Sequence, residues 1–521
     1  MEKLISKRNL ISRCILFIIL ITGSFFLKDR FSNLYSAIIN EIPIAVPTKT
    51  APSLSVEIPD NLRDYFALRD KLENKQFQDL EEHFSKLIAL LENDISIEQA
   101  VNGSVSTLAN GNPEYEALLN QWVDQYPDSA AAYLVRGNYF NDVGYLYRGA
   151  EFYRELSEKQ IEKWQSYSSK ANEDLAKSLQ LNPNISVTYA DIINNSGGTK
   201  QERAKLIAEA LDARPESYSI RLVALNMSRP RWGGSMDAIE ALVEDTKKYI
   251  SKNPQLKALL GYVDFEVASE HYLKKEYYQA KQAYAKALSY GEETSYLTSR
   301  AYLYYNVDEM DKAVRDLNRI IYIAPGSADT QKLLGRYYLK QKNYEEALKH
   351  FALAAKLRPY DYDIQYIYGW TLDHFKQFKA AEKAYKKALH YAISRGSKAW
   401  MSLGNLYSDK IKDKNKAKYT YVMAVMTNAE SPINWFNYSL FLGNNKDCDV
   451  MGAAYMHSKI CELSGNKRDK HCAPKYLDRN NGIITSLPKE GMCPSIEEYI
   501  KNGSHPLKIY EKIQVAEFLR N

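Results

Sequence analysis

The sequence predicts an all-α chain: a solenoid of stacked helix–turn–helix pairs behind an N-terminal transmembrane anchor, closed by a disulfide-bonded C-terminal tail. Three observations predict it. Ala313, Ala347 and Ala381 recur at one fixed interval of roughly 34 residues, as do Gly335 and Gly369, and Pro325 and Pro359. A fixed period of this length marks units that bury their apolar faces only against neighbours. The other two observations are an apolar run near the N-terminus and four cysteines gathered between Cys448 and Cys493.

In chain order, residues 1–9 form a short basic stretch and residues 10–27 the anchor. The uninterrupted run from Cys14 to Leu27 is 14 residues, about 21 Å of helix against a hydrocarbon layer of roughly 30 Å. Starting at Leu10 and letting Arg13 reach the interface lengthens it to about 18 residues, enough to span. A cleaved signal peptide is the alternative, although small residues at Thr22 and Ser24 do not make an Ala-x-Ala site. Lys3, Lys7, Arg8 and Arg13 precede the run and only Lys28 and Arg30 follow it, which puts the N-terminus in the cytoplasm and the rest outside. The expected location is the inner membrane of a bacterium, single-pass, with the C-terminal part in the periplasm. Residues 28–61 carry Pro43, Pro47, Pro52 and Pro59 without helical period and read as an extended tether.

Residues 62–260 read as a degenerate helical-repeat region. Arg136-Gly137 with Phe140 marks a first helix, and Ala171, Leu175 and Pro183 mark a second, displaced by a polar, helix-compatible insertion from near Gly144 to Ser169. Residues 184–214 read as one more pair. Residues 261–430 are five regular repeats. The stretch from Ala328 to Asp361 has Leu334, Gly335, Tyr338, Ala347, Phe351, Ala354 and Pro359 at its small, large and breaking positions. This pattern resembles a tetratricopeptide repeat (TPR), and the resemblance implies a right-handed superhelix. The fifth repeat slips by one residue before Ala417, Tyr421 and Ala424. Residues 431–521 hold a capping pair from Trp435 to Leu463 and then the tail. Residues 136–235, with Arg229 to Ser235 reading RPRWGGS, resemble a bacterial family of unknown function, which implies no activity.

The tail cysteines are Cys448, Cys461, Cys472 and Cys493. An even number in an exported, loop-rich tail argues for two disulfides. Cys448 and Cys461 flank one helix and would lie about 20 Å apart, too far to bridge. Of the two remaining pairings, Cys461–Cys472 with Cys448–Cys493 is favoured, because the loop GNKRDKH can fold back from the helix end. Zinc, helped by His457 and His471, is the competing reading, but Cys-x-x-Cys spacing is missing.

With 69 basic against 64 acidic residues, no field for a polyanion is present and nucleic acid is not an expected partner. No HExxH, no phosphate-binding GxxxxGK[ST] and no other catalytic constellation occurs, so no enzyme and no cofactor are expected. The TPR resemblance implies that first-helix positions face a concave groove. These positions hold Tyr262, Phe265 and Tyr272, then Tyr302 and Tyr305, then Lys332, Arg336 and Lys340, then Tyr366, Trp370 and His374, then Met401 and Asn405. Aromatic rings with arginine suit an acidic or aromatic-containing peptide. The block Arg231, Trp232, Gly233, Gly234 and Ser235 has two readings: a sharp turn plugged by a buried Trp232 and capped by Ser235, or an anion site on the glycine amides beside Arg231. The expected function is a periplasmic scaffold that binds a protein or peptide. An inhibitor or immunity protein against an envelope hydrolase is the alternative, and an enzyme built around residues 144–235 comes after it.

Overall fold

The computed structural model describes residues 64–148, 156–196, 199–324, 326–392, 396–445, 450–463 and 472. The expected anchor and tether, and Cys448 and Cys493, lie outside these residues. Among them every element is helical, and no helix is long and apolar enough to cross a membrane.

Four helices come first: α1 (Tyr65–Glu73), α2 (Phe77–Asn93), α3 (Glu98–Leu108) and α4 (Tyr115–Gln125). Antiparallel pairs follow: α5 (Ala130–Arg148) with α6 (Glu158–Leu181), α7 (Ser186–Asn195) with α8 (Lys200–Ala213), and α9 (Tyr218–Met227) with α10 (Met236–Lys247). After a 3-10 stretch (Pro254–Gly261), the regular array runs α11 (Tyr262–Leu273), α12 (Tyr277–Tyr290), α13 (Thr294–Asn306), α14 (Met310–Ile323), α15 (Ala328–Lys340) and α16 (Tyr344–Leu357). It continues with α17 (Tyr362–His374), α18 (Phe378–His390), α19 (Ser397–Asn405), α20 (Lys414–Thr427), α21 (Pro432–Asn444) and α22 (Val450–Leu463).

The period has a steric origin. A Cβ placed on Gly335 would stand 2.6 Å from the Phe351 ring, and one on Gly369 would stand 2.9 Å from the Tyr385 ring. The small residue lets the first helix lie directly on an aromatic of the second. Each of the first four regular pairs turns through one residue at positive φ: Lys275, Asp308, Lys342 and Lys376, all near 60°. The amide just beyond that residue bonds back across the helix end, as from Glu276 to His271 and from Asn343 to Tyr338, the Schellman stop of a helix. The α1–α2 turn has the same form at Lys75, with Gln76 bonding back to Lys71. The repeat geometry therefore begins before any repeat is legible in sequence.

Departures from the period are absorbed locally. The insertion in the first pair lengthens its helices to 19 and 24 residues, and Gly137 still packs against Leu175. In the fifth regular pair, a π turn over Leu406–Ile411 takes up a residue before α20, which is how the slip is accommodated. Cys461 and Cys472 are disulfide-bonded, with Cα atoms 5.5 Å apart.

The four leading helices share one buried core with α5 and α6, and two of them also reach the junctions between later pairs. The Arg69 guanidinium donates to the carbonyls of Lys356 and Leu357, 2.9 and 2.8 Å away at the end of α16. Cationic donors at a helix C-terminus satisfy carbonyls that the helix leaves open. Lys356 returns the contact by placing its ammonium 4.4 Å from the Phe66 ring centre. Farther along, the buried Glu98 carboxylate accepts from Ser186 Oγ at 2.9 Å, Ser217 Oγ at 2.7 Å, and the amides of Tyr218 and Ser219. Burial pushes this carboxyl up to about 7 against the pull of those donors.

Candidate concave binding face

The candidate face is the row of first helices α13, α15, α17 and α19. Ala301, Gly335, Gly369 and Gly404 fix its orientation, because each sits against its own second helix or is fully enclosed. The next residue in each helix then turns away from that contact. These residues are Tyr302, Arg336, Trp370 and Asn405, and all four are exposed, the tyrosine at 44% and the tryptophan at 39%. Such exposure of large rings in equivalent positions is the strongest apolar signal on this face.

The other expected groove residues are engaged with the protein itself. Tyr305 is half-buried and stacks on Tyr337 at 4.8 Å between ring centres, with the Lys340 ammonium over its ring at 4.1 Å. Lys332 pairs with Asp329 at 2.9 Å and Lys340 with Asp308 at 3.2 Å. The expected basic belt is thus reduced to Arg336, which makes no ion pair among the described residues. Tyr366 lies between Tyr362 and Tyr385. His374 is stacked on Tyr344 at 4.0 Å and lies 6.1 Å from the Trp370 ring. Asn405 accepts from the Tyr421 hydroxyl at 2.6 Å through its Oδ1.

Three residues expected in the groove are core instead. Tyr262, Phe265 and Met401 are buried. The Tyr262 hydroxyl donates to Asn226, and Phe265 lies under the Arg229 guanidinium and stacks on Tyr296. The preceding pair α9–α10 covers the start of α11, so the open face begins one repeat later.

The RPRWGGS block is also corrected. Gly233 has φ 85° and Ser235 accepts from the Ala238 amide at the start of α10, as a capped turn requires. Trp232, however, is 63% exposed and plugs nothing; its ring lies against the Arg231 guanidinium. The amides of Gly233 and Gly234 bond to the carbonyls of Pro230 and Arg229, so the turn itself uses the donors that an anion would need. Among the described residues no three acidic, cysteine or histidine side chains gather as a metal site. His83 and His350 are held down to about 4, chiefly by burial.

No family model matches the chain, over residues 136–235 or elsewhere, and no curated protein matches it in sequence. Solved structures do match. A human IFIT1 dimer with PPP-AAAA is 15% identical over 83% of this chain and 96% of that one, at a TM-score of 0.39. MamA of Desulfovibrio magneticus RS-1 is 20% identical over 34% of this chain and 99% of its own, at 0.30. YrrB, described as a TPR protein with an unusual peptide-binding site, is 17% identical over 38% and 96%, at 0.26. TM-scores this low leave the question of what this chain binds to its own residues.

Proposed function

We propose that this chain is a non-catalytic scaffold that binds a protein or peptide through the face of α13, α15, α17 and α19. The observation that carries the reading is the exposed column Tyr302, Arg336 and Trp370 at one position of three consecutive repeats. Aromatic and arginine side chains dominate binding energy because they bury large area with few rotors to freeze. An anchor at residues 10–27 and a tether at residues 28–61 would hold this face on the periplasmic side of an inner membrane. The charge bias around the apolar run supports that placement, and so does the Cys461–Cys472 bond, since disulfides persist in oxidising compartments.

Affinity capture from crosslinked membranes tests the reading. Trp370→Ala and Arg336→Ala should each cost on the order of 2 kcal/mol of partner affinity, about thirtyfold, with little change in melting temperature. Phe351→Ala is the control; its ring is enclosed against Gly335, and truncation should cost about 3–5 kcal/mol of local stability. Full capture by both surface variants would refute the proposal. The identity of the captured protein separates a scaffold from an inhibitor of an envelope hydrolase, which would use the same surface.

A further inference from the structure

Three features of the face restrict what fits it, and the restriction rests on the concave-face reading above. The first is pitch. Consecutive first helices touch through side chains: Asn306 Nδ2 donates to the Tyr272 hydroxyl at 2.5 Å, and Lys340 Nζ to the Tyr305 carbonyl at 2.7 Å. Helices in contact lie about 8–10 Å apart, so Tyr302, Arg336 and Trp370 form a column with that repeat. The second is width. One helical turn to either side of Arg336 stand Lys332, held by Asp329, and Lys340, held by Asp308. These ion pairs are rails on both sides of a track one side chain wide. The third is charge. Both lysines have carboxylate partners, Asp329 being shared with Arg358, so Arg336 stands between two ring-bearing positions as a cation without an ion pair among the described residues, and the His374 ring lies 6.1 Å from that of Trp370.

We infer that the occupant is a proline-rich segment in the polyproline II conformation. It would carry Asp or Glu at its centre and proline, or another flat apolar residue, three positions to either side. Such a helix repeats every three residues at about 3.1 Å each, so one face recurs about every 9.3 Å, within the helix spacing. Residues i and i+6 lie on Tyr302 and Trp370, and the carboxylate at i+3 meets Arg336 in a charge-assisted pair. A β-strand does not fit, because residues three apart point to opposite sides. An amphipathic α-helix approaches the pitch with two turns, but its apolar stripe spans about 100° or more and would desolvate the flanking ion pairs. Proline rings stacking on tyrosine and tryptophan bring little rotor entropy to lose, and the segment is already extended before it binds.

Fluorescence anisotropy of the full chain with labelled PPPEPPP, PPPQPPP and PPPKPPP tests this. An alanine-based helix carrying Leu, Glu and Leu seven residues apart is the competing probe. The glutamate peptide should bind saturably and at least tenfold more tightly than the lysine peptide. Arg336→Gln should abolish that preference, and Trp370→Ala should weaken all three proline peptides by about tenfold, both with unchanged melting temperature. Equal binding of the glutamate and lysine peptides, tighter binding of the helix, or no saturable proline-peptide binding overturns the inference. If the peptides fail while Trp370→Ala still abolishes membrane capture, the scaffold reading stands without this occupant. If capture is also indifferent to Trp370, both fall.

Discussion

Glu98 gives the sharpest energetic test, because one buried carboxyl joins the leading helices to two loops of the array. Both Ser hydroxyls meet Oε2, and both amides, of Tyr218 and Ser219, meet Oε1. Glu98→Gln keeps an acceptor for the amides and offers the serines a donor that rotated hydroxyls can accept, so the contact survives without a titrating group. In the native protein the carboxyl is raised from 4.5 to about 7 by burial. The folded state therefore holds the proton where the unfolded state has lost it, and stability falls as pH rises from about 4.5 to 7, then stays flat. A shift of this size corresponds to about 3 kcal/mol across the window. Repeat arrays open in segments, so amide exchange at Tyr218 and Ser219 is a better assay than global unfolding. At pH 5 the native protein should protect these amides at least as well as Glu98→Gln does, whereas at pH 8 the variant should gain on it by a factor approaching a hundred. An unchanged ratio between the two proteins at both pH values would refute the argument. Histidines such as His83 and His350, held neutral by burial, shift stability in the opposite sense but equally in both proteins.

Further outcomes can be read independently. Arg69→Met removes the donors to Lys356 and Leu357 and should cost about 2–3 kcal/mol at that contact, seen as faster proteolysis of residues 64–125 while the array keeps its melting temperature. Gly234→Ala places a Cβ 1.9 Å from the Ser228 carbonyl oxygen, so the α9–α10 turn must shift; a melting curve identical to the native one would contradict this. Non-reducing peptide mapping should link Cys461 to Cys472, and Cys461→Ser should lower the stability of the last pair by about 3 kcal/mol for a closed loop of this length. A C-terminal alkaline phosphatase fusion should be active, and a fluorescent protein that matures only in the cytoplasm should be dark there; the reverse would overturn the topology.

The regular array was legible because its contacts are local. Gly335 meets Phe351 and Gly369 meets Tyr385, each within a single helix pair, so packing demands reappear in sequence as a period. Even the slip in the fifth pair was visible as a shifted alanine, although the π turn that absorbs it was not. The leading helices left no such trace. Arg69 is 287 residues from Lys356 and Glu98 is 120 from Tyr218; each contact joins single residues across the fold and repeats nowhere. Glu98 in particular sits in a stretch whose composition differs little from any solvated helix start.

The sequence by itself determined the regular helical pairs and their period, and it assigned a set of residues to the groove side of each first helix. Only the tertiary structure decided which of those residues meet solvent. Phe265 and Trp370 are both aromatics that the repeat pattern assigned to the groove, yet one lies beneath Arg229 and the other is open. Likewise Lys332 and Arg336 are one helical turn apart, and only the first has an acidic partner in reach. A repeat specifies the direction of a side chain through local backbone geometry. What stands in front of it depends on neighbouring pairs, and on how far along the chain the solenoid has begun to turn.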